Sequence, residues 1–280
     1  MRSNNRCLVL ASLSLALAAV PAAASFHFMQ IEQVIGGVCG DTSQQAIQLR
    51  MRFDNQQFVA GKKLQVRDAA GNNPVLLKTF LGNAGTGIEG RRILITTTAF
   101  ASANGITADF TLDQVIPESY LTAGRLTFED EGGIIYWSLS WGNYAGSNMG
   151  STTNDSDGNF GPPALATSGL PFSTTKAVNF PGPHSVLSTT NLADYALTSG
   201  PSTWTRNNTT AVALPSSCVF ADGFATGNFI AWNDEEGEAR CDGAVSEHYD
   251  ALHIGEACEL PDGSIGTLVC APSGTSALCR

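Results

Sequence analysis

Residues 132–144 constrain the fold more than any other part of the chain. From Ile135 onward every second residue is large and apolar, with Trp137, Leu139 and Trp141 on one side and Tyr or Ser between them. A period of two is the pattern of a half-buried β-strand. Two indoles on one face bury a large apolar area. We therefore expect this strand to lie at the centre of a β core.

The clearest alternation in the chain covers residues 46–53. Apolar and polar side chains take turns there, with Ile47, Leu49, Met51 and Phe53 expected to face inward and Gln48, Arg50 and Arg52 outward. A sheet with one face in water has this pattern. Residues 26–35 alternate less regularly, and there we expect Glu32 and Val34 to share a face.

The remaining elements predict an all-β fold. Further short strands are expected at residues 63–67, 75–80, 92–97 and 125–128, with a short helix at 99–103. The glycines between 82 and 90 predict a plain loop, because no Gly-Lys-Ser or Gly-Lys-Thr of a phosphate loop follows them. Residues 143–190 predict a long loop region with one short strand. Short strands separated by Gly and Asn turns indicate a β-sandwich.

Residues 1–25 are expected to be a secretory signal peptide and no part of the fold. Two arginines make its start positive, residues 7–20 form its apolar core, and three alanines precede the expected cleavage before Ser25 or Phe26. The core has 14 residues, short of the roughly 20 that cross a bilayer. We expect no transmembrane segment, and an extracellular, cell-surface or periplasmic protein.

Negative charge is concentrated near the C-terminus. From Cys218 to the end there are 11 acidic and 2 basic residues, against 14 acidic and 11 basic in residues 25–217. Nucleic-acid binding depends on clustered Lys and Arg, so the composition excludes a nucleic-acid partner. The uneven charge predicts a sandwich domain over residues 26–210 and an acidic, cysteine-rich segment over 211–280.

Six cysteines remain once Cys7 has left with the signal peptide, and their even number in an exported chain predicts disulfides. They are Cys39, Cys218, Cys241, Cys258, Cys270 and Cys279. The sequence alone does not choose among their 15 full pairings. Our preferred bond joins Cys39 to Cys218, which would connect the start of the sandwich to its exit.

The spacing of donor side chains suggests two candidate metal sites. Four donors of the kind that zinc prefers are supplied by Cys241, His248, His253 and Cys258. The expected oxidising compartment and the absence of Cys-x-x-Cys favour disulfides over zinc. Asp155, Asp157 and Asn159 place oxygen donors at alternate positions, as calcium prefers. An EF-hand register fails there, so the candidates are a calcium loop of another kind or a plain Asx-rich turn.

Catalytic motifs are sparse, and we predict no catalytic residues. The chain contains neither Gly-x-Ser-x-Gly nor His-Glu-x-x-His. Acidic runs at residues 129–131 and 234–236 would suit glycoside cleavage, yet such runs are typical of solvated turns. Trp137, Trp141, Trp204 and Trp232 would suit sugar stacking, but the first two share the expected core face.

Several landmarks resemble bacterial lamin-tail domains. The early ones are residues 31–34, 47–51 and 61–68, and the late ones are the Trp-Gly-Asn-Tyr that ends at Tyr144 and residues 194–208. The chain departs from the family at Ala46, where an acidic residue followed by Trp is usual, and at residues 202–205, where a Pro-Gly turn is common. The resemblance implies an immunoglobulin-like sandwich used for attachment or scaffolding, without catalytic residues.

The C-terminal segment has resemblances of its own. Residues 220–228, Phe-Ala-Asp-Gly-Phe-Ala-Thr-Gly-Asn, are similar to a Phe-Ala-Asp-Gly-Phe-Glu-Ser-Gly-Asp motif of exported bacterial proteins. Residues 254–279 resemble small cysteine-rich modules of the same proteins. Together the observations predict a secreted or cell-surface, non-catalytic interaction or structural module with a protein or glycan partner. The alternatives are an extracellular hydrolase of polysaccharide or ester, and a carbohydrate-binding module.

Overall fold

The structure, a computed structural model, describes residues 26–220 and four short strands beyond them, at 230–231, 257–259, 265–270 and 277–279. The expected signal peptide lies outside the described residues. So do Cys241, His248 and His253 of the zinc hypothesis, most of the acidic segment, and the side chains of Cys258, Cys270 and Cys279.

Strands are the main regular secondary structure of the described residues. They are β1 (Met29–Ile35), β2 (Ala46–Met51), β3 (Lys63–Arg67), β4 (Val75–Thr79), β5 (Arg92–Thr96), β6 (Phe110–Thr111), β7 (Gly124–Glu129), β8 (Ile135–Trp141), β9 (Val178–Asn179), β10 (Ala196–Leu197), β11 (Thr203–Thr205), β12 (Ala211–Ala213), β13 (Val219–Phe220), β14 (Ile230–Ala231), β15 (Ala257–Glu259), β16 (Ile265–Cys270) and β17 (Ala277–Cys279). Three short helices are α1 (Thr98–Ala103), α2 (Glu118–Leu121) and α3 (Asn191–Asp194).

Two sheets form the sandwich. One has six strands in the order β10-β9-β1-β2-β5-β6, and the other has four in the order β4-β3-β7-β8. Apolar side chains from both sheets share one core, in which Ile31, Leu49 and Ile95 of the larger sheet join Leu126 and Trp137 of the smaller. The predicted all-β sandwich is confirmed. Strands β11 and β12 form a separate hairpin, β13 pairs with β14, and β15, β16 and β17 form a three-stranded sheet.

The expected central position of β8 is wrong, because β8 is the outermost strand of the smaller sheet. Its free edge is covered by the long loop that follows. Ser151 N donates to Ile135 O (2.7 Å), and Ala164 N donates to Ser140 O (2.9 Å). Trp137 and Trp141 are nevertheless fully buried, as their alternation predicts. Strand order depends on pairing between distant segments, which a local period does not determine.

The buried indoles both donate hydrogen bonds. Trp137 Nε1 donates to Tyr195 Oη (2.7 Å), and Tyr195 Oη in turn donates to the Ile31 carbonyl of the facing sheet. Trp141 Nε1 donates to Tyr120 O (2.9 Å). Complete burial raises the pKa of Tyr195 well above its usual value, so the hydroxyl keeps its proton and connects the two sheets.

The predicted water-facing side of β2 is buried, which corrects the assignment of Gln48, Arg50 and Arg52 to a wet face. The segment after β9 covers it. Arg50 Nη2 donates to Gly182 O (2.7 Å), and Thr205 N donates to Gln48 Oε1 (2.6 Å). Alternation alone does not separate a solvated face from a covered polar face, since both carry hydrophilic side chains.

A buried ion cluster lies on this covered face. Glu32 accepts from Arg50 at 3.0 Å and from Arg92 at 2.6 Å, and Gln48 Nε2 also donates to it at 2.8 Å. Burial lowers the pKa of Arg50, whereas the hydrogen bond to Glu32 raises the pKa of Arg92. Both guanidinium groups therefore depend on one carboxylate for their counter-charge.

Two smaller expectations are also corrected. A bulge between Ile31 and Gln33 turns Val34 into the core with Ile31, so Val34 does not share the face of Glu32. Phe53 lies beyond the end of β2 and is exposed, although it packs edge-on against Phe28 at 4.9 Å between ring centroids.

The preferred disulfide is confirmed. Cys39, in the loop after β1, is bonded to Cys218, with the two Cα atoms 5.2 Å apart and a sequence separation of 179. The bond attaches the end of the described sandwich to the loop between β1 and β2. In the described part of the chain, no helix has the length and apolar character that a bilayer crossing needs.

Candidate functional site

Four loops meet at one end of the sandwich, which we call the loop end: residues 52–62, 80–91, 130–134 and 182–188. Hydrogen bonds hold them together. Asn55 N donates to Gly87 O (2.5 Å), Ala84 N donates to Gln57 O (2.9 Å), and Arg52 Nη2 donates to Ser185 O (3.0 Å). The strands that carry these loops begin or end there, because antiparallel pairing brings their termini together.

Exposed apolar side chains are concentrated at the loop end. Thirteen large apolar side chains are exposed in the described residues, and seven of them lie in these four loops: Phe53, Phe58, Leu81, Ile88, Ile134, Val186 and Leu187. Leu81 is 91 % exposed. Scattered apolar residues are normal on a surface, so their concentration in four neighbouring loops is what makes the loop end the candidate site.

Four ionisable side chains of the loop end contact one another in two pairs. Lys62 Nζ lies 3.2 Å from a Glu131 oxygen and 3.9 Å from the centroid of the Phe26 ring. His184 Nε2 lies 2.7 Å from Glu89 Oε1. Two close contacts thus occupy four ionisable side chains of the loop end.

Asn154 fastens the neighbouring loop to the loop end, and sequence reasoning missed it. Its amide nitrogen donates to His27 O (2.7 Å) and Tyr136 O (2.8 Å), while its amide oxygen accepts from Arg52 Nη1 (2.6 Å). The side chain is fully buried. The sequence signal was Asn before an Asp-rich turn, which is equally typical of a solvated loop.

The candidate calcium residues follow Asn154 directly. Asp155 Oδ1 accepts from the backbone N of Asp157 (3.0 Å) and Gly158 (2.9 Å), Asp157 Oδ1 accepts from Asn159 N (2.8 Å), and Asn159 Oδ1 accepts from Gly161 N (3.2 Å). The three side chains thus form successive Asx turns. Burial raises the pKa of Asp155, and the hydrogen bond from Asn159 N lowers the pKa of Asp157.

The histidines do not assemble a hydrolytic triad in the described residues. The His27 ring stacks on Tyr136 with centroids 4.4 Å apart, and burial lowers the pKa of His27. His184 pairs with Glu89 at the surface. In this part of the chain, neither imidazole is hydrogen-bonded to a serine hydroxyl.

The three acidic side chains at residues 129–131 take part in ion pairs and in a hydrogen bond of the turn. Glu129 Oε1 lies 2.9 Å from Arg67 Nη1, Glu131 pairs with Lys62, and Asp130 Oδ1 accepts from Ile134 N (2.8 Å). The second acidic run, at 234–236, lies outside the described residues. The first run therefore supports a closed hairpin turn more directly than a pair of catalytic acids.

The tryptophans offer no sugar platform within the described residues. Trp137, Trp141 and Trp204 are all fully buried. Trp204 packs edge-on against Phe100 at 5.6 Å, in a second apolar cluster on the covered side of the larger sheet. Trp232 lies outside the described residues.

Comparison with known proteins does not assign this chain to a family. No protein-family model matches this chain, and no curated protein matches it. The geometry of the loop end is therefore the feature that bears on function.

Proposed function

We propose that this protein is a secreted or cell-surface module, of the lamin-tail type, that binds a partner protein through its loop end and is not an enzyme. The observation that carries the proposal is the concentration of exposed apolar side chains there. The disulfide between Cys39 and Cys218 supports an oxidising compartment. A sandwich with loops clustered at one end is a rigid carrier for a binding surface.

A protein partner fits the chemistry of this end better than a charged ligand. Two phenylalanine rings, Phe53 and Phe58, and five aliphatic side chains supply apolar contact, whereas Lys62, Glu131 and Glu89 already have partners. Protein interfaces are apolar and aromatic at their centres and depleted of charge there. We expect the affinity to change little with salt, because apolar contact is not screened.

The two alternatives lack a comparable observation. Hydrolysis needs an accessible nucleophile or acid pair, and Asp155, whose raised pKa would suit an acid, is only 1 % exposed. Carbohydrate binding usually uses exposed aromatic platforms with polar groups beside them. Phe53 and Phe58 provide rings, but no Trp of the described residues is exposed.

A matched pair of double variants tests the proposal. Phe53→Ser with Leu187→Ser changes two loop-end side chains that are each 44 % exposed, and Phe172→Ser with Val115→Ser changes two at the opposite end that are 42 % and 44 % exposed. We expect the loop-end variant to lose at least tenfold in retention on cells of the source organism that lack their own copy, about 1.4 kcal/mol. The labelled mature protein and flow cytometry provide the measurement.

The control variant should bind within twofold of the unchanged protein. Protease treatment of the cells beforehand should abolish retention, because the partner is a protein. Retention that survives protease and is competed by glycans would support carbohydrate binding instead. Equal losses in the two double variants would contradict a binding role for the loop end, and turnover of polysaccharide or ester by purified protein would contradict the non-catalytic assignment.

A further inference from the structure

Residues 148–161 form a closed loop against the edge of β8. Met149 and Asn159 form an antiparallel bridge, and Gly150 N donates to Gly158 O (2.8 Å). Gly158 has φ +74°, and a Cβ there would lie 2.6 Å from Gly150 O, so only glycine fits. The loop therefore has a defined shape before any ligand arrives.

One carboxylate oxygen in this loop has no partner. Asp155 is 1 % exposed, its Oδ1 accepts two backbone hydrogen bonds, and its Oδ2 is buried with none. A buried carboxylate oxygen without a partner is costly. In the described residues, Asp155 takes part in no salt bridge with Lys, Arg or His.

The nearest charges do not compensate it. Asp157 carries the same charge, and its carboxyl and that of Asp155 act directly on each other, which contributes to the raised pKa of Asp155. Arg52 is close in the fold but donates instead to Asn154 Oδ1 and to the carbonyls of His184 and Ser185. A positive charge, either a proton or a metal cation, would compensate the buried carboxylate of Asp155.

We propose that Asp155 and Asp157 bind a hard divalent cation, with the buried Oδ2 of Asp155 as one ligand and Ca²⁺ as the ion that fits best. Asp157 and Asn159 are exposed and supply further oxygens on the solvent side. Asn159 Oδ1 accepts one hydrogen bond, from Gly161 N, and a carbonyl oxygen has a second lone pair.

Calcium is preferred to magnesium and zinc on two grounds. Calcium accepts irregular sets of carboxylate, amide and backbone oxygens, whereas magnesium needs a near-ideal octahedron and zinc prefers nitrogen and sulfur. No cluster of three or more His, Cys, Asp or Glu side chains occurs in the described residues. The side-chain ligands available are therefore two carboxylates and an amide, an all-oxygen set of the kind that calcium accepts.

A bound cation would also stiffen the loop end. The loop is joined through Asn154 to Arg52, and Arg52 holds residues 184 and 185 of the loop end. The inference does not depend on the proposed protein partner, because cation binding is measured on the isolated protein. Failure of either proposal leaves the other unaffected.

The test compares thermal unfolding of the mature protein with EDTA and with about 10 mM CaCl2, some tenfold to a hundredfold above the dissociation constants of extracellular calcium modules. We expect calcium to raise the Tm of the unchanged protein by about 3–10 °C. Asp155→Asn and Asp157→Asn, which keep the side-chain shape, should remove the rise. Asp68→Asn, which alters an Asx turn at the opposite end, should retain it.

Each other outcome counts against the site. A rise that persists in Asp155→Asn assigns calcium binding elsewhere, for instance to the acidic C-terminal segment. No rise in the unchanged protein overturns the proposal and leaves a proton as the counter-charge.

Discussion

Replacing Glu32 with Ala is expected to lower the free energy of unfolding by about 3–5 kcal/mol. Glu32 is 4 % exposed and is the carboxylate that accepts from both Arg50 and Arg92. Its removal leaves the guanidinium of Arg50, 9 % exposed, without a counter-charge on the covered face of the larger sheet. The penalty comes from that uncompensated charge more than from the lost attraction, since a buried pair replaced as a whole costs little.

Denaturant unfolding followed by tryptophan fluorescence measures this effect, because Trp137, Trp141 and Trp204 are buried. Glu118→Ala is the matched control. Glu118 is exposed and accepts a hydrogen bond from Thr42 Oγ1, and we expect its loss to cost no more than about 0.5 kcal/mol. If Glu32→Ala were as mild as Glu118→Ala, the outer face of the larger sheet would be open to water.

Removal of the bond between Cys39 and Cys218 should be similarly destabilising. The bond closes a loop with a sequence separation of 179, and the chain-entropy relation gives about 5 kcal/mol as the upper value for a loop of that length. Removal of native disulfides typically costs about 2–5 kcal/mol. We expect the double variant Cys39→Ser with Cys218→Ser to fall in that range and its Tm to drop accordingly.

Thermal unfolding with and without reductant provides the measurement and its control. Reductant should lower the Tm of the unchanged protein toward that of the double variant, and it should change the double variant much less. Peptide mapping under non-reducing conditions should recover a peptide that joins Cys39 to Cys218. A double variant as stable as the unchanged protein would show that the bond contributes nothing to the sandwich.

The alternation of side chains predicted which residues enter the core, because the period of a strand is a local property. Trp137, Trp141, Leu49 and Ile47 are buried as expected. Strand order was not predictable in the same way, and β8 lies at an edge. The bulge that turns Val34 inward could not be predicted from the alternation either, since one extra residue moves every later side chain to the other face of the sheet.

The covered polar face was missed for a different reason. Arg50 and Arg52 are typical of a solvated surface. Besides their side-chain partners Glu32 and Asn154, they donate to the carbonyls of residues 182, 184 and 185, more than a hundred residues away. Nothing local in a sequence shows that such carbonyls will be available. The acid, amide and guanidinium groups of β1, β2 and β5 contact one another within the sheet, and the segment that follows β9 adds carbonyl acceptors for Arg50 and Arg52.

The loop end was only partly predictable. Phe53 was assigned to the core because it continues the alternation of β2, although the strand ends at Met51. Leu81 directly precedes the Gly-rich stretch that predicted a plain loop, and Ile88 lies within it. Large apolar residues in or beside such a loop were the local sign of the proposed surface. That the loops 80–91 and 182–188 lie together, as the contact between His184 and Glu89 shows, depends on tertiary structure alone.

Site-specific photo-crosslinking on living cells tests the central claim most directly. A photoreactive residue at position 81, where Leu81 is 91 % exposed, should form one discrete protein adduct, and the double variant Phe53→Ser with Leu187→Ser should abolish it. The same residue at position 115, at the opposite end, should form none. Adducts of equal yield at 115, or no protein adduct at 81 under conditions where the protein is retained on cells, would contradict the assignment of the loop end as the binding surface.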